Sequence, residues 1–391
     1  VDKEFAVVKS DKPTKYFDGK MIQTSYQFLN TLQLSEKEVD NLIKPQIDLL
    51  KLVSSNPNIF AFYSKNTHHK DYLNEVFDIR EVEDDDYYND EYEEYDDYEY
   101  GDNYYTQNTS EDDVDLTLEY KDYVMSNLLD INTGIANTPI YPYYLNSLLK
   151  SAKEKMRRGS LLVDGTYAVL FGNGYEMLLN TINRFLPESP ILEKETIYSS
   201  FFEFDKQVVC VRYPHVNMGN LYLPTNKYYE VYDRNSKNRY FNLSSEIVCV
   251  NAIGENIQQR LNGADYDSDT IAITDNKIIV TAVKKNYHRF AVPVNLVKLI
   301  NNKKDIDNKA KFLSIMDSKI SGNKVGQVIN LSQRYNSLAW DEFNNDHPDK
   351  NKYEEYYKKS CILAVLSNIE IDSAKRAYDI NKKETLTRLR N

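Results

Sequence analysis

Asp265, Asp267 and Asp269 stand two residues apart in the stretch RLNGADYDSDTIAIT, positions 260–274. Carboxylates in this pattern can hold a divalent cation, build a calcium loop, or solvate a turn. On a helix, successive members of the triplet would point about 200° apart and could not converge. On a strand or its tight exit, alternate side chains share a face. The flanking runs EIVCVNAI and TIAIT are strand-like, so the three carboxylates can meet at one point. Anions held that close raise one another's pKa values unless a cation neutralises them. A hard cation with oxygen ligands suits the cluster: Mg²⁺ first, with Mn²⁺ as a substitute. An EF-hand loop beginning at Asp265 would need Gly at its sixth position and Glu at its twelfth. Thr270 and Asn276 stand there instead, and the flanks are not helical. An acidic surface turn stays open as the competing reading of the residue types alone.

Basic residues surround the triplet along the chain. Arg212 and Arg260 precede it, and Lys284, Lys285 and Arg289 follow it within the β-rich region. Lys375 and Arg376 close a later apolar helix. Their functional reading is contact with the phosphates of nucleic acid or nucleotide; the alternative is solvated surface charge. The five histidines are scattered, and no Ser–His–Asp or Cys–His set suggests a protein nucleophile. Cys210, Cys249 and Cys361 lie far apart in apolar runs, which reads as free thiols in a reducing, cytoplasmic setting. No stretch approaches the roughly 20 apolar residues of a membrane span. The chain starts at Val1, and the expectation is a processed chain or a piece of something longer.

These residues need a frame to position them. The net charge of −12 is concentrated: residues 81–120 hold 18 Asp and Glu and no Lys or Arg, leaving 42 acidic against 48 basic residues elsewhere. The remainder is mildly basic, which permits a nucleic-acid partner. The segment 81–105, with 13 acidic residues and eight tyrosines, reads as a disordered acidic insert. Before it, SEKEVDNLIKPQIDLLKLV (35–53) predicts a helix capped by Ser35 and kinked or split at Pro45. After it, LEYKDYVMSNLLDI and PYYLNSLLKSAKEKMRRG predict two more, the second stopped by Gly159. From 160 to about 295, β-branched and aromatic runs separated by turn residues predict a barrel or sandwich. The runs are SLLVDGTYAVLFG, KQVVCVRYPHV, NKYYEVYD, SEIVCVNAI, DTIAITD, KIIVTAV and FAVPVNLV. One helical insert is expected at 175–186, and the chain past 305 reads as helical, with Trp340 packed in a core. The fold class is α+β, in five regions: 1–79 mixed and helical, 80–115 acidic insert, 116–159 helical, 160–295 β-core, 296–391 helical.

With its context, NGADYDSD resembles the Asn-Ala-Asp-Phe-Asp-Gly-Asp signature of the two-barrel RNA polymerases. The likeness is greatest to the eukaryotic-type RNA-dependent RNA polymerases and their single-chain phage relatives. VVCVRYPHVNMGN (208–220) looks like their upstream Arg-x-Pro strand, and CILAVLSNIEIDSAKR (361–376) is similar to a later helix. The resemblance covers roughly 160–380. It implies a double-psi β-barrel with helical regions on both sides. It also implies Mg²⁺ held by Asp265, Asp267 and Asp269, and nucleotidyl transfer from nucleoside triphosphates to an RNA 3′-hydroxyl on an RNA or DNA template. Two departures stand out. Ser268 occupies the place of the family's glycine, which would strain the loop if φ there is positive. The second barrel that supplies lysines to the nucleotide has no counterpart in the sequence, so a second barrel-bearing segment or subunit is expected as partner. Ala374 also stands where those enzymes have Pro. A non-catalytic, nucleic-acid-binding relative and a metal-dependent nuclease are the alternatives.

Overall fold

The structure is a computed structural model that describes residues 16–67, 124–300, 310–311, 313–314, 324–374 and 376–390. The acidic insert, His68, His69 and Lys375 lie outside the described residues. The chain divides into two units, one built from 19–43 and 158–391, the other from 15–18 and 44–157. Helix and sheet are both present, as an α+β fold requires. Among the described residues, no helix is long and apolar enough to cross a membrane.

In chain order, the first elements are β1 (Met21–Gln23), α1 (Tyr26–Asn30), α2 (Glu36–Ser55) and α3 (Pro57–Thr67). Ser35 and Glu38 cap α2 reciprocally: the Glu38 carboxylate accepts from the Ser35 backbone N–H at 2.8 Å, and Ser35 Oγ accepts from the Glu38 N–H at 3.4 Å. The helix runs unbroken through Pro45, against the expectation of a split. Asn41 and Pro45 are both exposed, so water can hydrate the carbonyl that proline leaves unbonded. Residues 124–131 are helical, and α4 spans Ile140–Arg157. Gly159 follows at φ +76°, the left-handed stop read from the sequence. The core of the second unit is Val53, Phe60, Tyr63, Met125, Leu129 and Leu148.

The first unit carries both sheets, a two-stranded one in which β1 pairs with the next strand, β2 (Leu162–Asp164), and a seven-stranded one. The remaining strands are β3 (Thr166–Phe171), β4 (Thr196–Tyr198), β5 (Lys206–Gln207), β6 (Val209–Val211), β7 (Thr225–Asn226), β8 (Ile247–Val250) and β9 (Thr270–Thr274). Between them lie α5 (Gly174–Thr181) and the short α6 (Ile257–Arg260); α7 (Lys277–Asn286) follows β9. The antiparallel pair α8 (Val325–Phe343) and α9 (Lys350–Ile371), then α10 (Lys382–Arg390), complete the order.

Seven strands are arranged β5-β7-β4-β8-β3-β9-β6. The two edge strands are one continuous piece of chain, separated only by Val208. Residues 206–210 bond to 222–226 on one side, with Val208 N–H donating to Pro224 O at 3.0 Å and Cys210 N–H to Tyr222 O at 2.8 Å. Residues 209–211 pair with β9 on the other. The sheet therefore closes on itself as a barrel. Two pairs within it are parallel, β3 with β8 and β4 with β7. Alternate residues point inward: Ala168 and Leu170, Val208 and Cys210, Val248 and Val250, Ile271 and Ile273, all buried in one cluster.

Three sequence expectations change. KIIVTAV is not a strand but α7, because the Asn276 side chain caps it, accepting from the N–H groups of Ile278 and Ile279, and Ile279, Ala282, Val283 and Asn286 fall on one buried face. FAVPVNLV and most of NKYYEVYD form no strand; Pro293 lacks the ladder donor. The helix at 174 ends at Thr181, two residues before Asn183 turns left-handed at φ +53°. Trp340 is buried, and its Nε1–H donates to Asn30 O at 3.1 Å.

Candidate metal centre at one end of the barrel

The chain enters the aspartate loop from α6. Asn262 and Gly263 are both left-handed, at φ +52° and +70°, and together they reverse the chain. Asn tolerates that region and Gly is free in it. Asn262 is buried and its Nδ2 donates to Pro214 O at 2.8 Å, tying the turn to the segment after β6. The loop leaves into β9, whose neighbours are β3 and β6. The β3 ladder continues past the strand start, since Leu170 N–H donates to Asp269 O at 2.8 Å. So Asp269 is fixed by the sheet, and Asp265 is fixed to Asp269: its backbone N–H donates to Asp269 Oδ2 at 3.0 Å.

The three carboxylates converge. One oxygen from each of Asp265, Asp267 and Asp269 lies within 4.8 Å of the others. Asp267 is exposed. Burial pushes the Asp265 carboxyl above its usual range, and the neighbouring Asp267 and Asp269 push it further. Asp265 Oδ1 and Asn262 Oδ1 are buried acceptors without a hydrogen-bond partner. An all-oxygen carboxylate set in which Asp265 Oδ1 is left without a partner fits a hard divalent cation. Ser268, between the second and third aspartates, sits at φ +82°. The conditional strain read from the sequence is therefore real in the structure.

Of the basic residues singled out, Arg212 joins the triplet. It lies one residue past β6, and its Nε is 2.9 Å from Asp269 Oδ2. Its Nη1 donates to Asn262 O at 3.1 Å. One guanidinium thus clamps both ends of the loop. Arg260 points elsewhere: its guanidinium lies 4.7 Å from the Tyr287 ring centroid, and Nη1 donates to Leu221 O at 3.3 Å. Lys284 and Lys285 are exposed in the last turn of α7, on a helix rather than in the β-core. Arg289 is exposed, with its guanidinium 5.2 Å from the Phe343 ring centroid.

Other contributors were not singled out from the sequence. A Cβ on Gly263 would lie 3.0 Å from the Asn368 side chain, so α9 buttresses the turn. Buried Asn217, just downstream of β6, donates to Ser360 Oγ at 2.8 Å, and Asn336 Nδ2 donates to Val216 O at 2.8 Å. These bonds anchor the Arg212 segment to α8 and α9. The Asn262–Gly263 dipeptide was a legible turn signal; the helix contacts had no local signal.

No family model matches the chain, and no curated protein matches it. Among solved structures it is similar to the RNA dependent RNA polymerase QDE-1 from Thielavia terrestris, with 16% identity and a TM-score of 0.46. The match covers 95% of this chain and 37% of that one, so the chain spans little more than a third of that protein's length.

Proposed function

We propose that the chain is the catalytic barrel region of a template-directed RNA polymerase. The observation that carries this reading is the convergence of Asp265, Asp267 and Asp269 on one point at the barrel end, in a stretch that resembles the polymerase signature. The closed barrel with two parallel pairs supports a double-psi barrel within a domain of about residues 160–295. The residues 1–79, 80–115, 116–159 and 296–391 would surround it.

The three aspartates would hold Mg²⁺, or Mn²⁺ in its place. When bound, the ion supplies positive charge to the attacking 3′-hydroxyl and the α-phosphate. The chain's own residues set that position. Leu170 fixes Asp269 through the backbone, Asp269 fixes Asp265, and Arg212 holds Asp269 against its like-charged neighbours. The reaction is in-line displacement of pyrophosphate by the hydroxyl, which requires no protein nucleophile. Arg212, Arg260, Lys284, Lys285, Arg289 and Lys375 are the proposed contacts to template, product or nucleoside triphosphate. A second barrel-bearing segment or subunit would complete the site, in a cytoplasmic setting.

The test is extension of a primed template with nucleoside triphosphates and Mg²⁺, by the chain alone and with its barrel-bearing partner. Extension that Asp267→Ala abolishes is the expected result. Nucleic-acid binding without extension would instead mark a non-catalytic relative, and cleavage of the template a nuclease.

A further inference from the structure

A cavity of about 660 Å³ opens beside the aspartate loop, with Phe171, Asn173, Glu176, Met177, Phe185 and Tyr266 in its wall. Pockets that enclose small ligands run from about 300 to 1,000 Å³. Tyr266 joins this one to the metal centre: its ring lines the cavity, while its chain neighbours Asp265 and Asp267 belong to the triplet.

The wall is mostly apolar and aromatic, with Asn173, Glu176 and Asn180 as its polar side chains. Asn173 is 6% exposed, and its Oδ1 accepts the Ala252 backbone N–H at 2.6 Å. Its Nδ2 has no partner. Although Asn173 precedes α5, its side chain makes no capping bond there. A buried amide donor left unpaired is unfavourable and calls for an acceptor. Three residues on, the buried Glu176 carboxylate accepts from Leu192 N–H at 3.1 Å and from the Tyr232 hydroxyl at 3.4 Å. A carboxylate has capacity for further donors. The cavity therefore offers flat aromatic surface, with an unpaired amide donor and a carboxylate buried in its wall.

We propose that this cavity receives a nucleobase. Its ring would stack on the aromatic wall and its carbonyl or ring nitrogen would accept from Asn173 Nδ2. The attached phosphate then leads past Tyr266 toward the aspartates. Choosing a nucleobase over another flat heterocycle rests on the polymerase reading; the cavity and its orphaned donor do not. The base comes either from a free nucleotide or from an unpaired position of a single strand.

Calorimetric titration of the full chain in EDTA tests this. The probes are the four nucleoside monophosphates and a short single-stranded RNA, with inorganic phosphate as control. Binding without metal is expected in the wild type. Ala252→Trp, which fills the cavity, should abolish it. Asn173→Asp keeps the acceptor for Ala252 but loses the donor, and should weaken binding about threefold to tenfold, the effect of one hydrogen bond. Binding of monophosphates assigns the site to free nucleotide; binding of the RNA alone assigns it to a strand. Unfolding midpoints check each variant, and Met177→Trp, at an exposed position on the rim, replaces Ala252→Trp if that variant does not fold. No binding by any base, or binding that a folded blocking variant leaves intact, overturns the proposal. Extension on the same preparations separates the two ideas. Base binding with no extension even when the barrel-bearing partner is added sinks the polymerase reading alone, and extension with no base binding sinks the cavity alone.

Discussion

Ser268 stands between Asp267 and Asp269 at φ +82°, where an L-residue other than glycine is strained. Ser268→Gly should therefore raise stability by about 0.5–1.5 kcal/mol, the left-handed penalty less glycine's extra chain entropy. Urea unfolding reads this directly, and a loss of stability would show that the Ser268 side chain contributes more than its backbone costs. Arg212 is the counterpart on the favourable side. Its pair with Asp269 is 14% and 21% exposed at the two side chains, so water screens it only partly. Arg212→Gln should destabilise the chain by about 1–3 kcal/mol, since it leaves a half-buried carboxylate beside two others. Divalent cation supplies the missing charge by another route. Millimolar Mg²⁺ should raise the unfolding midpoint of the wild type, by about 1–3 kcal/mol of linkage if it is well above the Kd. Asp267→Ala should remove that increment, and an undiminished shift would place the cation elsewhere.

The loop is held by elements distant in sequence. β3 and β6 flank β9 and so fix its start, while α9 reaches the turn at Gly263 through Asn368. Gly263→Ala meets two obstacles, a left-handed φ of +70° and a neighbour at 3.0 Å. We expect a loss of about 1–2 kcal/mol. Asn368→Ala in the same chain should recover only the steric share; complete rescue would mean that the backbone conformation costs nothing. Part of this was readable. The strand-like flanks of the triplet, the Ser35 cap and the Gly159 stop all follow from local chemistry. KIIVTAV was misread because its β-branched residues suit a strand, and only burial on one face beside an Asn276 cap reveals the helix.

At the scale of the whole molecule, the segment after β6 is buried under the C-terminal helices, and His215 is buried with it. Its Nε2 lies 2.9 Å from Thr31 Oγ1, its Nδ1 has no partner, and the Phe28 ring packs edge-on at 5.9 Å. Burial pushes its pKa from 6.5 down to about 3. The folded state thus binds fewer protons than the unfolded state between those values. The contribution is fully present above pH 6.5 and is lost as pH falls toward 3. Unfolding midpoints measured from pH 7 to pH 4 should fall more steeply in the wild type than in His215→Gln. Parallel curves would mean that His215 does not titrate on unfolding.

The sequence by itself carried the side-chain types of the triplet and the strand that follows it, because alternation and side-chain type are local properties. It also located the closing Gly159 and the Ser35 cap. Barrel closure, the Arg212 clamp and the orphaned Asn173 donor were decided only by tertiary structure. The clamp joins Arg212 with Asn262, and the Asn173 side chain reaches Ala252, at separations of 50 and 79. Such pairings depend on how strands are ordered in the sheet, and no spacing along the chain encodes that order.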